Sequence, residues 1–353
     1  MRRGKETVPA SASPDQLKPI CNGRRSGENS PPEELIQFIK DGSKFIIVGH
    51  KEPDGDCAGS QLALQSALIR FGKSAIVCSA GPFKRTELKT YAEKFINIPT
   101  EEELSGAKFI IVDCSGIDRT GDELKDIIGK FPFAVIDHHA AVTHSPSTKQ
   151  SPVYVDAASP SCTLLIEKLI TALGLELTAE EATLLLFGLC TDTGFFRHLT
   201  DKNPDVFEAV TKMVRHGASP KNIYRIINGG KSLNSRILLG RILSRTESFF
   251  DGKLVIGHET LEETETYGLE GRDSDNLNKL LLSIEGVEAV VIIRQERVDN
   301  CTVSLRSTDN IDVSQIAASL GGGGHKNASG LTIKGIITDV KQIMLESFKN
   351  VFC

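Results

Sequence analysis

The sequence predicts an α/β protein of two unequal domains, an N-terminal domain built on a parallel sheet and a smaller C-terminal α/β domain built on a mixed sheet. Three observations carry this. Short, unbroken Val/Ile runs alternate with helix-length segments as far as about residue 215. A strand whose two faces are both covered reads as a continuous apolar run, and covering both faces takes crossover helices. The length of 353 residues also exceeds one ordinary core and fits two domains.

In chain order, residues 1–31 are rich in Ser, Pro, Gly and charge without apolar periodicity, so a disordered tail is expected. EELIQFIKDG then predicts a short amphipathic helix. KFIIVG predicts the first strand, the segment from about Ala58 to Phe71 a helix, SAIVCS, AKFIIVD, FPFAVID and VYVD further strands, and Cys162 to Leu173 another helix. These make a first domain over 32–215. NPDVFEAVTKMVRHG and the stretch from Lys231 to Ser248 read as helical, which predicts a helical linker over 216–249. FFDGKLVIG, VEAVVIIRQE, CTVSLRS, a helix from about Val313 to Leu320 and LTIKGIIT fill a second domain over 250–353. A cleft between the two domains is the expected place for a site.

Composition narrows the function classes. No run approaches the about 20 apolar residues that span a bilayer, and MRRGKETVPASASPDQ has no apolar core for a signal peptide, so a cytoplasmic protein without a membrane partner is expected. A net charge of -5 argues against tight binding to long nucleic acid, which depends on many Lys and Arg contacts to phosphate. With no Trp and only four Tyr, there is little material for aromatic platforms that bind long single strands. The eight cysteines form no C-x-x-C pair and several lie in apolar runs, as reduced, buried thiols do.

Three first-domain strands stop at an acid or a histidine. KFIIVG stops at His50, with Asp54 and Asp56 following in HKEPDGD; AKFIIV stops at Asp113; FPFAVI stops at Asp137, His138 and His139. A fourth segment, LLLFGLCTDTGFF, reads as an apolar helix that breaks at Gly194 and presents Asp192. Ligands of open parallel sheets sit beyond the carboxyl ends of the strands, so these residues are expected to converge. Any one of them alone is more often a turn former or a helix cap. Together they concentrate negative charge that cations would have to balance. Carboxylates with a minority of imidazoles suit Mn²⁺ or Mg²⁺, and without nearby thiolate ligands a structural zinc site is not expected. Cys57, Cys114 and Cys190 beside the motifs read as packing residues that a soft metal could exploit to inhibit.

HKEPDGDCAGS, IIVDCSG, VIDHH and CTDTG resemble the four ordered motifs of the DHH phosphoesterase superfamily. CTVSLRSTDNIDVSQIAASLGGGGHKNASG resembles the DHH-associated C-terminal domain. The two-domain length is similar to the nanoRNase and pAp-phosphatase branch. The resemblance implies a centre of two divalent cations, one held by His50, Asp54 and Asp113 and the other by Asp56, Asp113, His138 and Asp192, with Asp113 shared. It implies that Asp137 orients His138 and that His139 faces the substrate phosphate. Two ions about 3.5–4 Å apart activate a shared water and clamp the attacking and leaving oxygens. Arg119 and Arg197 are further candidate cations near the phosphate. Glu52 and the HKNASG ending depart from the branch pattern, which bears on substrate choice rather than on the metal ligands.

In the C-terminal domain, Gly321, Gly322, Gly323 and Gly324 are more than a helix stop requires, and bare backbone can approach a phosphate or a base. With Arg306 and His325 they are the expected substrate contacts, whereas Arg294, Arg297 and Lys326 read as solvated charges. The expected activity is hydrolysis of short oligoribonucleotides and of 3′-phosphoadenosine 5′-phosphate (pAp), with Mn²⁺ or Mg²⁺, on short single-stranded RNA or DNA or mononucleotide bisphosphates. The alternatives are a phosphodiesterase for cyclic or linear dinucleotides (c-di-AMP, pApA), an inorganic pyrophosphatase and a nucleotide-binding regulatory protein. A homodimer is left open.

Overall fold

The computed structural model describes residues 30–139, 151–200, 203–268, 272–308 and 310–352. The expected tail up to residue 29, together with Cys21 and Cys353, lies outside the described residues. The chain divides between Ile227 and Asn228 into two compact units.

The first unit contains α1 (Glu33–Asp41), β1 (Lys44–Val48), α2 (Gly55–Arg70), β2 (Ser74–Cys78), α3 (Glu101–Leu104), β3 (Ala107–Val112), α4 (Asp122–Ile128), β4 (Phe133–Asp137), β5 (Val153–Val155), α5 (Cys162–Ala172), α6 (Ala179–Asp192), α7 (Pro204–Arg215) and most of α8 (Pro220–Asn228). Its five strands are all parallel, in the order β2-β1-β3-β4-β5. Phe45, Ile47, Ile110 and Val112 pack on one face with residues of α2, α5 and α6, while Ile46, Val48, Phe109 and Ile111 pack on the other with Leu124 and Ile128 of α4. Burial on both faces is why these strands read as unbroken apolar runs. The strand order reverses between β1 and β3, which opens a crevice beyond their carboxyl ends.

The second unit adds α9 (Leu233–Ser244), β6 (Glu247–Phe249), β7 (Leu254–Glu259), α10 (Leu261–Tyr267), α11 (Ser274–Leu282), β8 (Ala289–Arg297), β9 (Asn300–Ser307), α12 (Val313–Ser319), β10 (Gly323–His325), β11 (Ala328–Lys334) and α13 (Ile337–Phe352). Its sheet runs β10-β11-β9-β8-β7-β6 and is mixed, with β7 and β8 parallel and the other pairs antiparallel. Two sequence expectations shift here. LTIKGIIT is not one strand: β11 ends at Lys334, Gly335 turns at φ +140°, and Ile337 starts the last helix. The helix expected to reach Ser248 ends at Ser244, because Glu247 already pairs with Ile256 in the sheet.

Arg294 is a correction. It is not a solvated charge but only 7% exposed, inside an ionic cluster on β7 and β8. The Arg272 guanidinium donates to Glu259 through Nε and Nη2 (2.9 and 2.8 Å) and to Glu296 through Nη1 (2.9 Å), and Arg294 Nε lies 3.3 Å from Glu259 Oε2. The fully buried Glu259 is therefore the counter-ion of two arginines. Glu259→Ala would leave both without it, and breaking a buried pair from one side costs about 3–5 kcal/mol. Chemical denaturation followed by circular dichroism should show that loss; a change under ~1 kcal/mol would mean that water already solvates the arginines.

Candidate metal centre

His50 and Asp54 come from the connection between β1 and α2, and Asp56 from the start of α2 itself. Helix α2 starts earlier than the sequence suggests: Asp54 is its N-cap, with Oδ1 accepting from the amides of Asp56 and Cys57 (both 3.1 Å), so Asp56 sits inside the first turn. The Asp56 carboxylate points to the start of α5, where Oδ2 accepts from the Cys162 amide (2.6 Å) and Oδ1 from the amide and hydroxyl of Thr163 (2.9 and 2.7 Å). Free amides at a helix N-terminus stabilise such a charge. Asp113 follows β3 at φ +58°, a backbone conformation uncommon outside glycine and found at functional sites.

The two ligand-type histidines are set by backbone carbonyls. His50 Nδ1 donates to its neighbour Lys51 O (2.9 Å) and His138 Nδ1 to Ser159 O (3.2 Å), because a carbonyl can only accept. Both rings thus turn Nε2 toward the acids. His138 Nε2 lies 3.3 Å from Asp113 Oδ1, 3.5 Å from Asp192 Oδ2 and 3.7 Å from Asp56 Oδ2. His50 Nε2 lies 3.5 Å from Asp113 Oδ2 and 3.8 Å from Asp54 Oδ1. Asp113 therefore offers one oxygen to each histidine.

The donors fit divalent cations. Atoms about 2.1 Å from one ion and roughly at right angles are about 3 Å apart, slightly closer than the contacts here. Asp113 Oδ1 is buried without a hydrogen-bond partner, which a cation would supply. Burial and the charges of Asp113 and Asp192 raise the Asp56 carboxyl well above its usual range. Burial lifts Asp192 to about 6, with Asp113 and Asp54 adding to the push against His138. Like charges this close demand a counter-charge.

Asp137 requires a correction, since it does not hold the His138 ring. Its Oδ1 accepts from the backbone amides of His138 and His139 (2.8 and 3.2 Å) and from Nδ1 of the His139 ring (2.7 Å). The tight turn after β4 puts the His139 ring, not that of His138, within reach. His139 is 40% exposed in its side chain and keeps Nε2 free of Asp137. Arg119 is exposed on a 3-10 turn whose carbonyl accepts the Lys51 amide, and Arg197 is exposed after α6 with Nη2 3.3 Å from His198 Nε2. Cys57, Cys114 and Cys190 are buried free thiols; burial pushes Cys57 and Cys190 up to about 12.

The glycine run has a steric explanation that sequence reading did not give it. Gly321, at φ +80°, and Gly322 return their amides to Ala318 and Ala317 and close α12. A Cβ on Gly322 would lie 2.4 Å from Gly330 O, and one on Gly324 would lie 2.6 Å from Ser329 Cα. A Cβ on Gly321 or Gly323 would meet nothing within 4 Å, so of these two only Gly321, with its positive φ, has a conformational need for glycine. His325 ends β10 exposed, and the half-buried Arg306 donates through Nη1 to Leu305 O (2.9 Å).

Sequence reasoning missed Thr163, the Ser159 carbonyl and Gly188. The Ser-Cys-Thr before an apolar run was a legible helix start, but nothing local showed which acid it would face. Gly188 lets α6 lie against α2: a Cβ there would be 2.5 Å from Thr163 Cγ2 and 3.0 Å from Asp56 Cα. Gly188→Ala should push α6 away and carry Asp192 with it, weakening divalent-ion affinity by about 10–100-fold, as loss of a ligand's support does. Calorimetric titration with Mn²⁺ would read it, and unchanged affinity would detach Asp192 from the centre. Without an ion, His138 holds its proton up to about 9, because Asp113, Asp56 and Asp192 outweigh the opposing effect of burial. Ion and proton compete for Nε2, so ion affinity should rise with pH toward about 9 and binding at neutral pH should release protons. Titration in buffers of different ionisation enthalpy would detect this; no release would count against His138 as a ligand.

The model of the DHH family, N-terminal domain, matches residues 44–189, and the DHHA1 domain model matches 259–352. A bifunctional oligoribonuclease and PAP phosphatase, NrnA of Thermus thermophilus, is 32% identical over 308 residues, covering 87% of this chain and 88% of its own. The cyclic-di-AMP phosphodiesterase PdeA of Listeria monocytogenes is 26% identical over 86% of this chain, which spans 47% of PdeA. The crystal structure of an exopolyphosphatase-related protein from Bacteroides fragilis shares the fold, with a TM-score of 0.76 and 24% identity over 91% of this chain and 96% of that one.

Proposed function

The chain belongs to the DHH family, and we propose that it is a two-metal phosphoesterase that hydrolyses short oligoribonucleotides and pAp. The observation that carries this reading is the geometry of Asp113, whose two oxygens face two different imidazoles within a cluster of four carboxylates. Bound there, divalent cations, Mn²⁺ by preference over Mg²⁺, supply an activated water and neutralise charge on the phosphate.

The chain's own residues do the rest. His50, Asp54 and Asp113 hold one ion, and Asp56, Asp113, His138 and Asp192 the other. The carbonyls of Lys51 and Ser159 fix the rings so that each Nε2 lone pair is aimed inward. Asp137 orients His139 through Nδ1, leaving its Nε2 to donate to a phosphate oxygen or to the leaving oxygen. Arg119 and Arg197 add positive charge for the phosphate, and in the second unit Arg306, the glycine run and His325 are the proposed nucleotide contacts. The six described cysteines are free and buried, in keeping with a reducing, cytoplasmic setting. No helix among the described residues is long and apolar enough to cross a membrane.

A second reading, hydrolysis of the cyclic dinucleotide c-di-AMP, is favoured by the similarity to PdeA. Purified protein with Mn²⁺ should turn over 5′-phosphorylated dinucleotides and pAp with higher kcat/KM than c-di-AMP or pyrophosphate. Preference for c-di-AMP would select the second reading, and absence of turnover with every divalent metal would sink both. Asp113→Asn and His138→Ala should each lower kcat/KM by more than the ~10–100-fold that loss of an outer-sphere partner costs, with circular dichroism unchanged.

A further inference from the structure

Helix α6 stops by an ordinary device just after Asp192. Gly194, at φ +57°, lets its own amide and that of Phe195 return to the carbonyls of Thr191 and Cys190 (3.4 and 2.7 Å). One left-handed glycine suffices for that stop. Phe195 and Phe196 nevertheless continue in left-handed backbone, at φ 59° and 70°, which bulky residues rarely adopt. Thr193 holds them there. Its hydroxyl accepts the Phe196 amide (3.0 Å) and donates to Leu189 O (2.6 Å), and its carbonyl accepts the His198 amide (3.1 Å).

This backbone lines up four rings. Phe195 lies edge-on to Tyr224 of α8 (5.3 Å between centroids) and 5.4 Å from Phe196, which lies 5.7 Å from Phe207 of α7. Phe195, an inner member of the row, lies three residues along the chain from Asp192, a carboxylate of the metal centre. Phe195 and Phe196 are partly buried against the core, but Phe207 and Tyr224 are 53% and 54% exposed. The inner rings pack on the core, whereas the outer two keep about half of their surface open to solvent. Arg197 follows Phe196 in the chain and is exposed. The expectation that this chain lacks stacking material counted Trp and Tyr and overlooked its sixteen phenylalanines.

We propose that the row Tyr224, Phe195, Phe196, Phe207 is a stacking platform for a nucleobase of the substrate whose phosphate lies at the metal centre. The inference rests on the functional reading above. An occupant that carries both an anionic phosphate and a flat π-face matches a chain segment that runs from a carboxylate of the metal centre, Asp192, directly into the rings at Phe195 and Phe196. Every base has such a face, so the platform gives affinity without strong base selectivity.

The test is a non-hydrolysable, 5′-phosphorylated dinucleotide carrying 2-aminopurine, bound in the presence of Mg²⁺, whose fluorescence is quenched on stacking. The wild-type protein should quench it saturably. The double variant Phe207→Leu/Tyr224→Leu, which keeps apolar volume at both positions, should bind it about tenfold more weakly, the effect of ~1.4 kcal/mol of lost stacking. It should also lose about tenfold in kcat/KM on pApA while matching wild type on the same dinucleotide without its bases, and Phe207→Trp alone should retain wild-type affinity. Unchanged affinity and quenching in the double variant, or equal loss on the substrate with and without bases, would overturn the platform. Wild-type protein that hydrolyses pApA but does not quench would overturn the platform and leave the functional reading standing. Quenching without hydrolysis would do the reverse.

Discussion

Several acids are forced into one crevice at the carboxyl ends of a parallel sheet, and much of the first unit is arranged around the cost of that crowding. Asp113 is nearly buried, with one oxygen unpartnered, and Asp56 is buried beside it. Some of the charge is balanced by protein. The start of α5 gives two amides and a hydroxyl to Asp56, and α2 gives two amides to Asp54. These bonds orient the carboxylates but do not neutralise them, and the imidazoles can do so only by keeping protons. A centre in that condition has room for a better counter-charge than protons, which is the physical content of reading it as a site for divalent cations.

Convergence of this kind requires helices at unusually close range. Asp56 on α2, Thr163 on α5 and Asp192 on α6 meet because Gly188 presents no side chain where the three helices come together, and Gly59 on α2 likewise lies against the Leu184 carbonyl of α6. Gly194 then ends α6 just past Asp192, and Thr193 holds the strained phenylalanines that follow. Left-handed backbone at Asp113 itself, and at Phe195 and Phe196 just after the ligand-bearing helix, accompanies this centre, as is common where geometry is held for chemistry.

The second unit solves a different problem. Glu259, Arg294 and Glu296 on its sheet form an ionic network with Arg272 from the segment before α11, while Gly321, Gly322 and Gly324 are required by a helix stop and by the close passage of β10 along β11. Features that look like binding chemistry in the sequence can therefore be demanded by packing, and a residue that looks like a surface charge can be central to it.

Strand positions, the layered α/β architecture and the residues at the strand ends were legible locally, because burial on both faces writes itself as Val/Ile runs and polar residues appear where those runs stop. His50, Asp54, Asp113, His138 and Asp192 could all be picked out in that way. Side-chain partnerships could not. That Asp137 holds His139 rather than His138, that Ser159 orients His138, that α5 receives Asp56 and that Arg294 is buried each depends on segments far apart in the chain, or on the exact path of a turn. Period and composition record what a residue must be buried against in general; which atom it meets is decided only when the helices have packed.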